Sequence, residues 1–434
     1  MTKSTPAKFR VIIVGAGPVG LYLAHALSRA NVDYLVLEQH DSVIRYQGAG
    51  IVVYPQTIRL LDQIGLYGKA KDYVIGHTMT DLLAGNGQVI KSNPLWSVLE
   101  ERHAYPFVCD SRAQLITLLY ENLPGKETRI KTGAAVVDIE PHEKGVKVYL
   151  KDGSIEEGSI VIGIDGVYSK TRQIMKRLAQ TPPDTWPMTA EYQGLYGRFH
   201  SNAGLNQGTF YQSRGSGIVV QLMVGEGRGH FAILRAIPPI TEPKRYTSED
   251  RDRLAEELAD TMVAPGVHFK AIWELADKDT TAMVSQEEGY CDKWYHGRIA
   301  LAGDAVHKVT SVTGMGVNMG INSAAALANE LYRTLQSEPD PSTETVEDAF
   351  ARYQQIRNPE AGSLHAIGKT QIRCVTWETW SYWVFDRFVN PWVGIGKVVE
   401  LLGKLISSGQ ILEYVPFEDR KVQVPWVHTT DSYA

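Results

Sequence analysis

The stretch that most restricts how this chain can fold is FRVIIVGAGPVGLYLAHALSRANVDYLVLEQ, beginning at Phe9. Residues 10–14 are short, β-branched and closed by glycine, the pattern of a strand buried on both faces. From about Gly17 to Ala30 the period becomes helical, with Val19, Leu23, Leu27 and Ala30 on one face, and a second apolar run starts at Asp33. Strand, crossover helix and strand in that order imply a parallel pair, and parallel pairs belong to α/β layers. Between strand and helix stands Gly15-Ala16-Gly17-Pro18-Val19-Gly20, a GxGxxG. Gly15 permits the tight turn, Gly17 lets a pyrophosphate approach the backbone, and Gly20 lets helix and strand pack closely. The helix N-terminus adds N–H donors. Glu38 closes the second strand 18 residues after Gly20, where a carboxylate can bind ribose hydroxyls. Gly15, Ala16, Gly17, Gly20 and Glu38 are therefore candidate dinucleotide contacts, and the acid favours FAD or NAD over NADP as the tight ligand.

A second loop decides between those two. In ALAGDAVHKVTSVTGMGVN, Asp304 follows a buried strand and Gly303, where it can accept hydrogen bonds from ribityl hydroxyls. Gly314 and Gly316, with Val317 opening a helix, can bring backbone N–H groups against phosphate or a flavin ring edge. Reading Asp304 only as a helix cap leaves both glycines unexplained, and an NAD-only dehydrogenase needs no second cradle.

At 434 residues the chain is long for one core and implies two or three structural units. Lys and Arg total 44 against 49 Asp and Glu, with no basic run, so nucleic acid is not an expected partner. Cys109, Cys291 and Cys374 lie far apart with no metal-type spacing, which points to a reducing compartment. The polar N-terminus shows no signal-peptide pattern, and no apolar run reaches the ~18 residues of a membrane span. The aromatic segment TWETWSYWVFDRFVNPWVGIGKVVELLGKLI reads as a buried or amphipathic helix pair, or as a pocket wall at Trp377, Trp380, Tyr382 and Trp383. The location expected is cytoplasmic, with peripheral membrane contact left open.

Alternating segments from about 188 to 236 predict four antiparallel strands of a separate unit, whose inward polar candidates are Tyr196, Arg198, Tyr211, Gln221 and His230. SEDRDRLAEELADTMV reads as a helix with a capping box at Ser248, and the helix from Arg112 has Asp110 or Ser111 as cap.

The residues GAGPVG with Glu38, GIDGVYSKTR at 163–172 and GDAVHKVTSVTGMGVNMG at 303–320 together resemble the signatures of group A flavoprotein monooxygenases, the relatives of para-hydroxybenzoate hydroxylase. GAGIVVYPQTIRLLDQIGL at 48–66 and YVPFEDRKVQVPW at 414–426 are similar to the fungal subgroup acting on terpenoid, meroterpenoid and indole-alkaloid intermediates. The resemblance implies an α/β, Rossmann-like FAD-binding domain, discontinuous in sequence, with an inserted, mainly antiparallel substrate sheet and a helical C-terminal region. The corresponding division is 1–75, 109–182 and 291–337 for FAD, 76–108 and 183–290 for the substrate sheet, and 338–434 for the helical region.

It further implies FAD as cofactor, NADPH (or NADH) as transient reductant, O2, and a hydrophobic substrate that receives one oxygen from a flavin C4a-hydroperoxide. Gly50, Arg112 and Asp165 join the cofactor contacts by this resemblance, and Arg45 lies near another. Arg198, Tyr196 and His307 are the candidate catalytic groups, Arg198 first as a cation able to orient a carbonyl or phenolate. The family pattern departs at Ser311, where proline is usual, and at Asn322 and Ser323, where an acidic pair is usual. A flavoprotein shifted to oxidase, dehydrogenase or non-redox cyclase chemistry, or one that binds FAD without catalysis, stays open at this point.

Overall fold

A computed structural model describes residues 9–46, 50–70, 76–181, 188–200 and 203–429, apart from the side chains of Cys109 and Asp110. The polar N-terminus, Gly48-Ala49, and the unit boundaries drawn at 75 and 182–183 lie outside them.

The βαβ unit forms as expected. Strand Arg10–Val14 pairs in parallel with Asp33–Leu37, and helix Pro18–Arg29 crosses between them. Ile160–Gly163 flanks the first strand on its other side, also in parallel, and Ile299–Leu301 continues the sheet. Three segments distant in sequence thus bring their C-terminal ends, carrying Gly15, Ile164-Asp165 and Gly303-Asp304, to one edge. That edge is where open α/β sheets bind ligands.

The second sheet has eight strands, and Tyr196, Gln221 and Lys91 lie on three of them. Met188–His200 sits between Ala282–Tyr290 and Arg228–Ile240, followed outward by Ile218–Val224, Thr209–Gly215, Met79–Ala84 and Val89–Asn93. The four alternating runs are all strands here, but the sheet is wider than they predict. All its pairings are antiparallel except Thr209–Gly215 with Met79–Ala84. At the near edge, Gly289 and Tyr290 pair with Lys308 and His307, so the loop after Asp304 is itself a sheet strand.

Of two capping expectations, one shifts and one holds. Helix Ser248–Glu257 is capped one residue earlier, by Thr247 in a box with Asp250, and ends before Met262–Ala264, which is extended. Ser111 caps the helix Arg112–Glu121 by accepting from the Gln114 N–H. The C-terminal region is helical, with Thr343–Val375 and Ile395–Ser407 as its long elements. Among the described residues no helix is long and apolar enough to cross a membrane.

Candidate cofactor cradle and active-site cavity

The three glycines of GAGPVG do different things. A Cβ on Gly20 would lie 2.1 Å from the Gly15 carbonyl oxygen, and one on Gly15, at φ +109°, would lie 2.5 Å from that of Ile164. Both are glycine because the loop folds tightly on itself and on the neighbouring strand end. Around Gly17 there is space, its nearest neighbour being Arg112 Nη2 at 3.8 Å. Glu38, 9% exposed, accepts from the Ala16 N–H at 3.0 Å and from the His40 N–H at 2.9 Å, one carboxylate oxygen for each. Each oxygen keeps a lone pair for a ribose hydroxyl.

Arg112 faces this space. Burial lowers its pKa first and the field of Arg45 second, while Asp304 and Glu38 act the other way. The guanidinium makes no hydrogen bond or ion pair among the described residues, an expensive state for a largely buried cation unless an anion joins it. In the second loop, Gly316 begins helix Gly316–Ser337, and a Cβ there would meet nothing within 4 Å. Val317 follows it, half-buried. The open glycines, the arginine and the helix N-terminus form a cradle fitted to a pyrophosphate with a ribose on Glu38.

Asp165 is not turned into that space. Its carboxylate accepts from Ser169 Oγ at 2.5 Å and from the Thr171 N–H and Oγ at 2.9 and 3.0 Å, holding the turn against which Gly15 packs. Asp304 accepts from Lys308 Nζ at 2.9 Å and is 37% exposed.

Asn318 escaped the sequence reading. It accepts from the Tyr54 N–H at 2.8 Å and donates to the carbonyls of Val52 and Gly314 at 2.8 and 2.9 Å. It thereby ties strand Gly50–Val53 to the glycine loop. Gly50 is constrained sterically, since a Cβ there would lie 2.7 Å from Met223 Cε and 3.0 Å from His230 Cβ.

Next to this loop lies a cavity of about 770 Å³. Its floor is one cross-strand row: Tyr196 opposes Ala232, Ala232 opposes Gln221, Gln221 opposes Gln212, Gln212 opposes Leu82, and Leu82 opposes Lys91. All six line the cavity. Five strand spacings separate Tyr196 from Lys91, about 24 Å across the sheet. Trp96, Phe210 and Met223 supply apolar wall. At the far end Arg214 donates to Gln212 Oε1 at 3.0 and 2.8 Å and pairs with buried Asp386, which also accepts from Trp377 Nε1 at 2.9 Å.

At the near end, Ser311 joins sheet to loop. Its N–H and its hydroxyl both donate to Gln286 Oε1, at 3.1 and 2.8 Å. The Tyr196 hydroxyl lies 2.5 Å from Ser311 Oγ. Because the serine hydrogen is already given to Gln286, Tyr196 is the donor, and its own lone pairs are left for the cavity. Burial raises the Tyr196 pKa, so the phenol stays protonated.

The remaining candidates lie elsewhere. Arg198 shares the face of Tyr196, but its guanidinium is held by Asp277 at 2.6 and 3.0 Å and does not line the cavity. His307 is 1% exposed, next to Ser323 Oγ at 3.3 Å, and burial lowers its pKa to about 4. It is outside the cavity lining. Tyr211 points into the core behind the sheet, where its oxygen accepts from the Asn206 N–H. His230 is buried under Gly50. Both departures at the helix have structural uses: Asn322 accepts from the Gln410 N–H at 2.8 Å, and Ser323 sits between His307 and Arg357, each 3.3 Å away. Trp380 and Trp383 form neither core nor pocket wall, being 79% and 41% exposed.

A dinucleotide cradle opening onto a cavity floored by an antiparallel sheet is the architecture of a flavoprotein that oxidises a small molecule. Residues 8–361 match the family model described as FAD binding domain. The chain is 43% identical to the FAD-dependent monooxygenase srdH of Neurospora crassa, over 96% of this chain and 98% of that one. It is 32% identical to the FAD-dependent monooxygenase ctvC of Aspergillus terreus, over 95% and 88%. Among solved structures, Klebsiella pneumoniae HpxO complexed with FAD and uric acid superposes with a TM-score of 0.77 at 22% identity, over 94% of this chain and 99% of that one. PqsL of P. aeruginosa in complex with 2-aminobenzoylacetate gives 0.66 at 21%, over 87% and 99%. The chain belongs to the FAD-dependent monooxygenases, oxidoreductases with FAD as cofactor, and has the fold of the para-hydroxybenzoate hydroxylase type.

Proposed function

We propose that this chain uses NADPH (or NADH) and O2 to insert one oxygen atom into a hydrophobic natural-product intermediate, by epoxidation or hydroxylation. The observation that carries this is the junction of cavity and glycine loop at the Tyr196–Ser311–Gln286 chain. There a substrate on the sheet would lie against whatever the loop holds. FAD, when bound, supplies hydride acceptance and the activated oxygen. Gly17, Gly316, Arg112 and Glu38 would hold its pyrophosphate and ribose, with Gly314, Val317 and Asp304 along the second loop. The single dinucleotide fingerprint favours a nicotinamide that reduces and leaves.

The protein's part is to exclude water and orient. Trp96, Phe210 and Met223 enclose an apolar substrate body. Tyr196, protonated and with its hydrogen committed to Ser311, accepts a hydrogen bond from a substrate hydroxyl beside the reacting carbon. Arg214 and Lys91 offer the far end to an oxygen function. The test is to mix purified protein anaerobically with NADPH, admit air, and follow the flavin spectrum and products with apolar terpenoid and indole substrates. NADPH consumption matched by a product heavier by one oxygen atom supports the reading. A bound flavin that NADPH never reduces overturns it, and conversion without NADPH assigns oxidase or non-redox chemistry instead.

A further inference from the structure

The segment 380–401 has its polarity inside out. Asp386, 1% exposed, points inward and is held by Arg214, Trp377 and Asn390. Outward stand Trp380 at 79%, Phe388 at 61% and Trp392 at 86% exposed, with Trp383 packed edge-on against Phe388 at 5.6 Å. Seven of the seventeen exposed large apolar residues among those described fall in these 22 positions, including all three exposed tryptophans. A folding chain that buries a carboxylate and leaves indoles in water is presenting a surface to a partner.

The same segment is the rim of the cavity. Phe385, Asn390, Val393, Ile395, Val398 and Leu401 line it, and Lys91 Nζ donates to the Val393 carbonyl at 2.6 Å, fixing the rim to the sheet. A protein seated on Trp380, Phe388 and Trp392 would cover the mouth, whereas a fluid apolar phase would open it to its contents. The charges agree. Asp386 is neutralised by Arg214 and Glu400 pairs with Lys404 at 2.8 Å, while Arg387 and Lys397 have no carboxylate partner among the described residues. Exposed indoles beside unpaired cations are the signature of a surface that lies in an anionic lipid interface.

We propose that residues 380–401 dock this protein on the surface of an anionic bilayer, with the indoles in the interface and the cavity mouth facing the membrane. The docking goes beyond the oxygenation reading and does not depend on it, since binding is read without turnover. The experiment is sedimentation of the FAD-loaded protein with vesicles of phosphatidylcholine alone and of phosphatidylcholine doped with phosphatidylserine, alongside Trp380→Ser/Trp392→Ser and Arg387→Gln. None of these three residues lines the cavity, and flavin absorbance and circular dichroism confirm that the variants fold. The wild type is expected to sediment with anionic vesicles, with a blue-shifted tryptophan emission. The double tryptophan variant should lose at least about tenfold in partitioning, and Arg387→Gln should lose affinity only for the anionic vesicles. No sedimentation of wild type with anionic vesicles overturns the proposal, as does unchanged sedimentation of the double tryptophan variant. A wild-type dimer that becomes monomeric in that variant, without vesicle binding, assigns the patch to a second copy of the chain and overturns it too.

Discussion

The Tyr196 hydroxyl donates to Ser311 Oγ across 2.5 Å, and the direction is fixed because Ser311 gives its own hydrogen to Gln286. A residue of the substrate sheet is thereby locked to the loop that carries Gly314 and Gly316. Replacing Tyr196 by Phe should leave FAD content unchanged and lower kcat/KM about tenfold to hundredfold, with more reducing equivalents lost as hydrogen peroxide. Oxygen uptake compared with product formed measures it. Wild-type coupling in Tyr196→Phe would remove the residue from the reaction. Ser311→Ala, which orphans the buried phenol, is expected to cost about 1–3 kcal/mol of stability in denaturant titration.

Two glycines separate folding from cofactor binding. A methyl group on Gly20 collides with the Gly15 carbonyl at 2.1 Å, whereas one on Gly316 meets no protein atom within 4 Å. Gly20→Ala should therefore accumulate as misfolded or insoluble protein. Gly316→Ala should fold with an unchanged unfolding midpoint as apoprotein, yet bind FAD at least about tenfold more weakly. Undiminished FAD affinity of Gly316→Ala, read by flavin fluorescence quenching, would place the cofactor elsewhere.

Asn318 satisfies one backbone N–H and two carbonyls that have little access to water. Asn318→Ala should lower stability by about 2–4 kcal/mol and loosen the strand Gly50–Val53 from the glycine loop. Faster hydrogen exchange confined to Tyr54 and the 314–318 turn is the expected signature.

Acid should destabilise the protein well before its carboxylates titrate. Burial lowers the pKa values of His307 and His230 to about 4 each. A histidine in the unfolded chain takes up its proton near pH 6.5, so between about pH 6.5 and 4 the unfolded state binds more protons and stability falls with falling pH. Each group contributes on the order of 1–3 kcal/mol across that window. The apparent Tm should drop steeply below pH 6.5, and His307→Gln should flatten the slope. A Tm independent of pH from 6.5 to 4.5 would contradict buried neutral imidazoles.

The cofactor half was legible because its constraints are local. GxGxxG, the flanking strand and helix, and Glu38 lie within thirty residues, and each glycine has its own reason there, tight packing at Gly15 and Gly20 and open space at Gly17. The substrate half was not. Whether Tyr196 or Tyr211 faces the cavity depends on the parity of each strand, which a one-residue slip inverts, and only the pairing resolves it. Arg198 looked catalytic because its partner Asp277 lies 79 residues on. Ser311 looked like a loss, since its value depends on Gln286 and Tyr196, both distant in sequence. Trp380 and Trp383 read as helix core or pocket wall because hydrophobicity predicts burial, and nothing in composition signals that Asp386 takes the inner position instead.

The cavity floor runs from Tyr196, deep beside the cofactor loop, to Lys91 on the marginal hairpin formed by Met79–Ala84 and Val89–Asn93. A strand at the margin has one neighbour to satisfy, so it tolerates exchange, lengthening or a shifted bulge with little damage to the rest. The oxidising end and the discriminating end of the scaffold are consequently free to change at different rates. After gene duplication, copies of such a chain can acquire new substrates by drift at the hairpin while the chemistry is inherited intact, and a diverged lineage should show its differences there first.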